Sequence, residues 1–178
     1  MSRRARLLVI CHANVARSVA AAALLVGSVD ERGEPIEVRS AGTHAAEGQP
    51  ASMRTASSLA LAAGRDVALG GHRAHLVGAE DLEWADLVVA MEASQVRWIR
   101  RVHPEAGAKT ASIATLAEDL PRGAVPLAER VAEMGLSSLE PPDRGDVVDP
   151  AGGDESVYRA TMATLVALCE QLRGRLHG

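Results

Sequence analysis

The chain has 178 residues, of which 47% are hydrophobic, so it can bury one core of ordinary size and is short for two full domains. Its 19 Lys and Arg residues and 23 Asp and Glu residues give a formal net charge of -4. That charge provides no general attraction to nucleic acid or to an anionic membrane surface, and we expect neither as a partner.

The chain contains two cysteines, Cys11 and Cys169, which lie far apart in the sequence. Two thiols are too few to stabilise a secreted fold of this size through disulfides. We therefore expect a reducing compartment, the cytoplasm, in which both thiols remain free. No apolar run in the sequence is long enough to cross a bilayer. The sequence leaves the oligomeric state open.

Strands and helices are predicted to alternate along the chain. In chain order we predict a strand at 6–10, a helix at 18–26, a strand at 36–40, a helix at 50–63, a strand at 86–91, a helix at 96–102, a strand at 109–113 and a helix at 156–172. This alternation is typical of an α/β fold. We expect a single doubly wound domain over residues 1–178, with a four-stranded parallel sheet and helices on both faces.

A long connection precedes the last predicted helix, at about 117–145. It contains several prolines and one short predicted helix at 127–134. Segments of this kind usually run over the protein surface, so we expect a surface connection.

Cys11 lies where the first predicted strand ends and a loop opens toward a helix. In a parallel α/β sheet this is the edge at which ligands bind. Backbone N–H groups of such a loop can point into one concavity, which suits phosphate or another tetrahedral oxyanion. The same positive field would favour the thiolate, which is the nucleophilic form of cysteine. The residues predicted to bind the substrate are His12, Ala13, Asn14, Val15, Ala16 and Ser18.

Four other side chains complete a hypothetical phosphate site. Arg17 can curl back over the loop and offer a planar fork to two phosphate oxygens. Ser18 can donate to the thiolate, and Asn14 can hold the loop open through hydrogen bonds to the backbone. Asp149, held in place by the following proline, can protonate a leaving group. A cysteine and an arginine six residues apart are a weak signal alone, and their position at a strand-to-helix junction is what favours a site.

With these motifs the sequence resembles the low-molecular-weight protein tyrosine phosphatases. The segment CHANVARS at 11–18 is similar to the family's signature loop, and DVVDPAGG at 146–153 is similar to its acid loop. Between them, VRSAGTHAAEGQPAS, GHRAHL and ADLVVAME look like further family landmarks in the same order.

The resemblance implies a phosphomonoesterase that forms a cysteinyl-phosphate intermediate, with no cofactor and no metal. Its substrates would be phosphorylated proteins or small phosphomonoesters. In this family's pattern Cys11 is the nucleophile, Arg17 the phosphate clamp and Asp149 the general acid. The resemblance further implies a supporting network of Asn14, Ser18, Ser40 and His72.

The chain departs from the family pattern at several positions. Ala13 stands where glycine is usual, and Ala16 stands where a second cysteine is usual. Ala151 replaces an aromatic residue that generally lines the substrate cleft, and the loop at 43–49 has no Phe, Tyr or Trp. We therefore expect a cleft without aromatic walls and weak binding of phosphotyrosine.

Three other functions stay open at this point. An arsenate reductase of the same fold would use an external thiol, because Cys169 lies in a predicted helix where a buried structural thiol is expected. A protein-arginine phosphatase tends to carry threonine at the position of Val15, so the aliphatic residue argues weakly against it. A phosphate-binding module without turnover is disfavoured because Cys11, Arg17 and Asp149 are all present.

Overall fold

Four parallel strands form the centre of the protein in a computed structural model that describes residues 3–178. They lie in the order β2, β1, β3, β4. Strand β1 pairs in parallel with both β2 and β3, and β3 pairs in parallel with β4. This confirms the predicted four-stranded parallel sheet. The strands are β1 (Arg6–Cys11), β2 (Glu37–Gly42), β3 (Leu87–Ala90) and β4 (Thr110–Ser112).

Helices cover both faces of the sheet, as predicted. Leu7 and Val9 of β1 point into one buried cluster, whereas Leu8 and Ile10 point into another, because side chains alternate along a strand. Helices α1, α2, α5, α6 and α7 contribute to the first cluster, and α3 and α4 to the second. The helices are α1 (Arg17–Leu25), α2 (Met53–Ala63), α3 (Ala79–Trp84), α4 (Ala93–Val102), α5 (Ile113–Asp119), α6 (Leu127–Glu133) and α7 (Glu155–Leu176). None of these helices, within residues 3–178, has the length and apolar character needed to cross a membrane.

Two short helices were not predicted from the sequence. Helix α3 has only six residues, too few for a helical period to stand out. Helix α5 begins after Ser112, whose side chain accepts a hydrogen bond from the N–H of Thr115 at 3.2 Å. That N-cap was a signal available in the sequence. Helix α4 begins at Ala93, three residues before its predicted start.

Most residues of the connection at 117–145 are exposed, and a few buried side chains anchor it to the core. Leu127 and Val131 are buried in the first cluster, because the apolar positions of α6 lie on the face turned toward the sheet. Leu136, which follows this helix, is buried in the same cluster. Arg130 on the same helix is fully buried. Its guanidinium donates to the carbonyl oxygens of Pro121, Arg175 and Leu176. These residues attach an otherwise largely exposed segment to the core.

Candidate active site

A tight loop joins the end of β1 to the start of α1. Cys11 is the last residue of the strand and Arg17 is the first residue of the helix. The N–H of His44 donates to the carbonyl oxygen of His12 at 2.9 Å, which ties the loop to the chain after β2. A side chain at Gly42 would place its Cβ 2.6 Å from that same carbonyl oxygen. Only glycine permits this close approach.

The backbone of this loop presents unpaired donors. Within the described part of the chain, none of the N–H groups of residues 12–16 donates to a protein acceptor. Such consecutive free N–H groups before a helix N-terminus form an anion-binding concavity. The N–H groups of His12, Ala13, Asn14, Val15 and Ala16 are therefore available to a ligand, and binding of substrate by these residues stays a prediction. The carbonyl oxygen of Val15 points away and accepts from the N–H of Ser52 at 2.9 Å.

The thiol of Cys11 is almost fully buried and lies against a hydroxyl group. Its Sγ is 3.0 Å from the Oγ of Ser18, and Cys11 is 3% exposed. The same Oγ accepts a hydrogen bond from the side-chain amide of Asn14 at 2.9 Å. Because Asn14 uses an acceptor site of the Ser18 hydroxyl, the hydroxyl proton is available to the sulfur. This geometry suits stabilisation of a thiolate.

Asn14 is the centre of the supporting network. It is fully buried and adopts a left-handed backbone with φ of 54°, a conformation that Asn tolerates better than most residues. Its side-chain amide also donates to the Oγ of Ser40 at 3.0 Å. The Nε2 of His72 donates to the Asn14 carbonyl oxygen at 2.8 Å, since a carbonyl can only accept. Asn14, Ser18, Ser40 and His72 thus lie together as the resemblance implied.

His75 belongs to this network but was not predicted. Its backbone N–H donates to the Oδ1 of Asn14 at 3.0 Å. Its imidazole lies 2.9 Å from Asp81 and 3.2 Å from Glu47. Partial burial disfavours the charged ring, but the hydrogen bonds and charges of these two carboxylates raise the pKa of His75 above its ordinary value. A histidine in a run of loop residues gave no signal of this role.

Arg17 connects the loop to distant parts of the chain. It is 1% exposed, and its guanidinium donates to the carbonyl oxygen of Val147 at 2.9 Å. It also forms ion pairs with Asp149, at 2.7 Å, and with Glu92. The predicted clamp and the predicted general acid are therefore in direct contact. Glu92 was missed as a site residue, although it ends the ADLVVAME segment.

Asp149 lies in a loop that is anchored to the sheet. The N–H of Val147 donates to the carbonyl oxygen of Met91 at 2.9 Å, which attaches the loop to the end of β3. The other carboxylate oxygen of Asp149 accepts from the N–H of Ala151 at 3.0 Å. Its side chain is 43% exposed, so a substrate can reach it.

A second carboxylate, Asp146, fixes the start of this loop. Its Oδ1 accepts from the N–H of Ala93 at 2.8 Å, at the N-terminus of α4. Partial burial and the nearby charges of Glu92 and Asp143 raise the pKa of Asp146, although the hydrogen bond from Ala93 opposes the shift. Asp146 thus links the acid loop to the helix that carries Glu92 as its N-cap.

A cleft of about 660 Å³ opens beside the loop. It is lined by His12, Arg17, Thr43, His44, Glu92, Ser94, Gln95, Arg97, Trp98, Arg101 and Asp149. The expectation of a cleft without aromatic walls is wrong, because Trp98 on α4 lines it. The expectation rested on Ala151 and on the loop at 43–49, whereas the aromatic side chain comes from a helix.

Cys169 does not line this cleft. It is buried in α7, and its Sγ is 3.9 Å from the carbonyl oxygen of Ala21 in α1. Burial raises the pKa of its thiol to about 12, so it stays protonated at neutral pH. Among residues 3–178 no group of three or more His, Cys, Asp or Glu side chains could hold a metal ion.

Comparison with known proteins gives consistent results. The family described as low molecular weight phosphotyrosine protein phosphatase matches residues 6–129. A protein-arginine-phosphatase of Geobacillus stearothermophilus is 32% identical over 171 residues, covering 96% of this chain and 95% of that protein. The low molecular weight protein-tyrosine-phosphatase Etp of Escherichia coli (strain K12) is 33% identical over 104 residues, covering 58% of this chain and 66% of Etp.

Solved structures agree in fold. The low molecular weight protein tyrosine phosphatase of T. tengcongensis superposes with a TM-score of 0.73 at 31% identity, covering 97% of this chain and 99% of that one. The family match spans more than half of the chain, and it includes the Cys11 loop but ends before the acid loop. The chain therefore belongs to the low molecular weight phosphotyrosine protein phosphatase family.

Proposed function

We propose that this phosphatase hydrolyses phosphotyrosine in cytoplasmic proteins through a cysteinyl-phosphate intermediate on Cys11. The observation that carries the proposal is the loop itself, in which five backbone N–H groups without a protein acceptor directly follow a thiol held by Ser18. Arg17 adds a buried guanidinium to the same concavity. Two free cysteines and the absence of any need for a disulfide support a reducing compartment.

Substrate binding begins with an exchange of partners at Arg17. Its guanidinium pairs with the carboxylates of Asp149 and Glu92 in the structure. A phosphate dianion offers two oxygens in the same planar geometry and competes for these donors. Asp149 is thereby released next to the bound phosphate, at the position where the leaving oxygen departs.

The first chemical step transfers the phosphoryl group to sulfur. The thiolate of Cys11 attacks phosphorus, an S–P bond forms, and the bond from phosphorus to the tyrosine oxygen breaks. Asp149 gives its proton to that oxygen, which leaves as a neutral phenol. The loop N–H groups and Arg17 bind the three non-bridging oxygens as negative charge spreads over them.

The second step regenerates the enzyme. A water molecule gives a proton to the Asp149 carboxylate and attacks phosphorus, and the S–P bond breaks to release inorganic phosphate. The departing sulfur is a thiolate, and the Ser18 hydroxyl stabilises it through the 3.0 Å contact.

Protein-arginine phosphatase activity is the second candidate. It is supported by the Geobacillus relative, which is similar over nearly the whole of both chains. The carboxylates of Glu92 and Asp149 could also bind the guanidinium of phosphoarginine. Against it, Val15 offers no hydroxyl group in the phosphate loop. A thiol relay for arsenate reduction gains no support, because Cys169 is packed between α7 and α1.

Two peptides of one sequence, carrying phosphotyrosine or phosphoarginine at the same position, distinguish the substrates. We expect a higher kcat/KM for the phosphotyrosine peptide. Val15→Thr is the matched variant and should shift the ratio toward phosphoarginine. A wild-type preference for phosphoarginine would reject the phosphotyrosine assignment in favour of the second candidate.

Stopping the reaction with acid and locating the phosphorylated residue tests whether a cysteinyl-phosphate forms. After rapid mixing with the preferred peptide, peptide mapping by mass spectrometry should find phosphate on Cys11. The Cys169→Ser variant should be labelled equally. Turnover by Cys11→Ser at a rate near that of wild type would reject the cysteinyl-phosphate mechanism.

A further inference from the structure

Four rings contact one another in succession, and three of them line the cleft. The imidazoles of His12 and His44 are stacked, with centroids 4.5 Å apart and an interplanar angle of 19°. Trp98 lies 6.0 Å from His44 at an angle of 58°, and His103 lies 5.7 Å from Trp98. The first three rings line the cleft, and His103 supports the tryptophan.

The row is fixed at both ends. The backbone N–H of His44 binds the carbonyl oxygen of His12, in the phosphate loop itself. Trp98 is only partly exposed and packs against the second buried cluster, to which α3 and α4 contribute. Helix α4 also carries Glu92, which contacts Arg17. A substrate group resting on Trp98 would therefore sit at a defined position relative to the phosphate clamp.

We propose that Trp98 and His44 are the specificity-determining residues for the leaving group, and that they bind the ring of an aryl phosphate. The inference rests on the proposed function and identifies which residues recognise its substrate. Flat rings are stabilised by offset or edge-to-face contacts with aromatic faces. Ala151, exposed at the acid loop, can provide no such contact. Trp98 and His44 thus form an aromatic wall of the cleft, and they come from α4 and from the chain after β2.

Charge in the cleft favours a neutral ring over a guanidinium on this wall. Arg97 and Arg101 line the cleft together with Trp98. Arg97 is paired with Glu140 and Asp143, so a cationic leaving group near the tryptophan would meet the charge of Arg101, whereas a phenol would not be repelled.

Equilibrium binding of two phosphonates tests the ring contact without turnover. Benzylphosphonate and methylphosphonate share the oxyanion and differ in the ring. Trp98→Leu should weaken benzylphosphonate about two- to tenfold and leave methylphosphonate unchanged. Trp84→Phe is the control, because Trp84 packs against Arg39 at 4.1 Å elsewhere on the surface and should alter neither affinity. Isothermal titration calorimetry gives both constants.

An unchanged affinity for benzylphosphonate in Trp98→Leu would overturn the proposal. Equal losses for both ligands would also overturn it, because they would assign Trp98 to holding α4 and Arg17 rather than the ring. Should Trp98→Leu fail to fold, His44→Ala at an exposed position should show the same selective loss. Since binding requires no chemistry, these outcomes are independent of whether Cys11 forms a phosphoenzyme.

Peptide kinetics separate the two leaving groups. In Trp98→Leu we expect KM to rise about two- to tenfold for the phosphotyrosine peptide with kcat nearly unchanged, because the contact is equal in the ground and transition states. A rise in KM confined to the phosphoarginine peptide would show that the wall serves a guanidinium and would overturn the aryl assignment.

Discussion

Replacing Asp149 by asparagine is the most direct test of the proposed chemistry. Asparagine has the same shape but only one oxygen acceptor, so it can keep the contact from the Ala151 N–H at 3.0 Å and loses the one from Arg17 at 2.7 Å, which uses the other carboxylate oxygen. The variant loses the proton that the carboxylic acid gives to the leaving oxygen. The acid loop should stay in place, because Val147 binds Met91 and Asp146 binds the N–H of Ala93 without help from residue 149.

The size of the effect depends on the leaving group. Loss of a general acid lowers kcat by about 10²- to 10⁴-fold, or roughly 3–5 kcal/mol in the barrier. The larger values apply to basic leaving groups, which need the proton most. A series of aryl phosphates with phenols of increasing basicity should show a steeper decline in kcat for Asp149→Asn than for wild type.

The same variant should bind inorganic phosphate more tightly. It removes one negative charge beside Arg17, and a like charge about 6 Å from a phosphate costs on the order of 1 kcal/mol after screening by water. Because the Asp149 side chain is 43% exposed, we expect a gain of roughly three- to tenfold and no more. Competitive inhibition by phosphate measures it.

Asp143→Asn is the matched control. Its carboxylate pairs with Arg97 at 2.9 Å on the surface, so the variant makes the same chemical change outside the proposed proton transfer. We expect kcat near that of wild type. A uniform loss in Asp149→Asn across all leaving groups, together with weaker phosphate binding, would refute the acid role and assign Asp149 to positioning Arg17.

Three other predictions follow from single contacts. Cys169→Ser should keep wild-type kcat and lower the thermal midpoint, because it buries a hydroxyl group in the core. Ser18→Ala should slow breakdown of the phosphoenzyme about 10- to 100-fold in burst kinetics, because the departing Cys11 thiolate loses a charged hydrogen bond. Asp146 has a raised pKa in the folded state, so its stabilising contribution is present at acid pH and is lost as pH rises. Asp146→Asn keeps an acceptor for Ala93 and should raise the thermal midpoint at pH 7 but not below about pH 4; a gain that does not vary with pH would contradict this.

Much of the candidate site was predictable because it is local in sequence. Cys11, Asn14, Arg17 and Ser18 lie within eight residues at a strand-to-helix junction. The geometry of such a junction is set by the two elements it joins, so residue spacing alone brings these side chains to one concavity. The parallel sheet followed equally from the alternation of strands and helices.

Tertiary packing decided the rest. Asp149 contacts Arg17 across 132 residues, and Glu92 reaches it across 75. The resemblance named the first of these two carboxylates but could not show that both occupy the clamp. Trp98 lines the cleft only because α4 packs its apolar face on the sheet and turns this residue toward the chain after β2. Sequence periodicity tells which face of a helix is buried, whereas the neighbours of its edge depend on where other elements end in space.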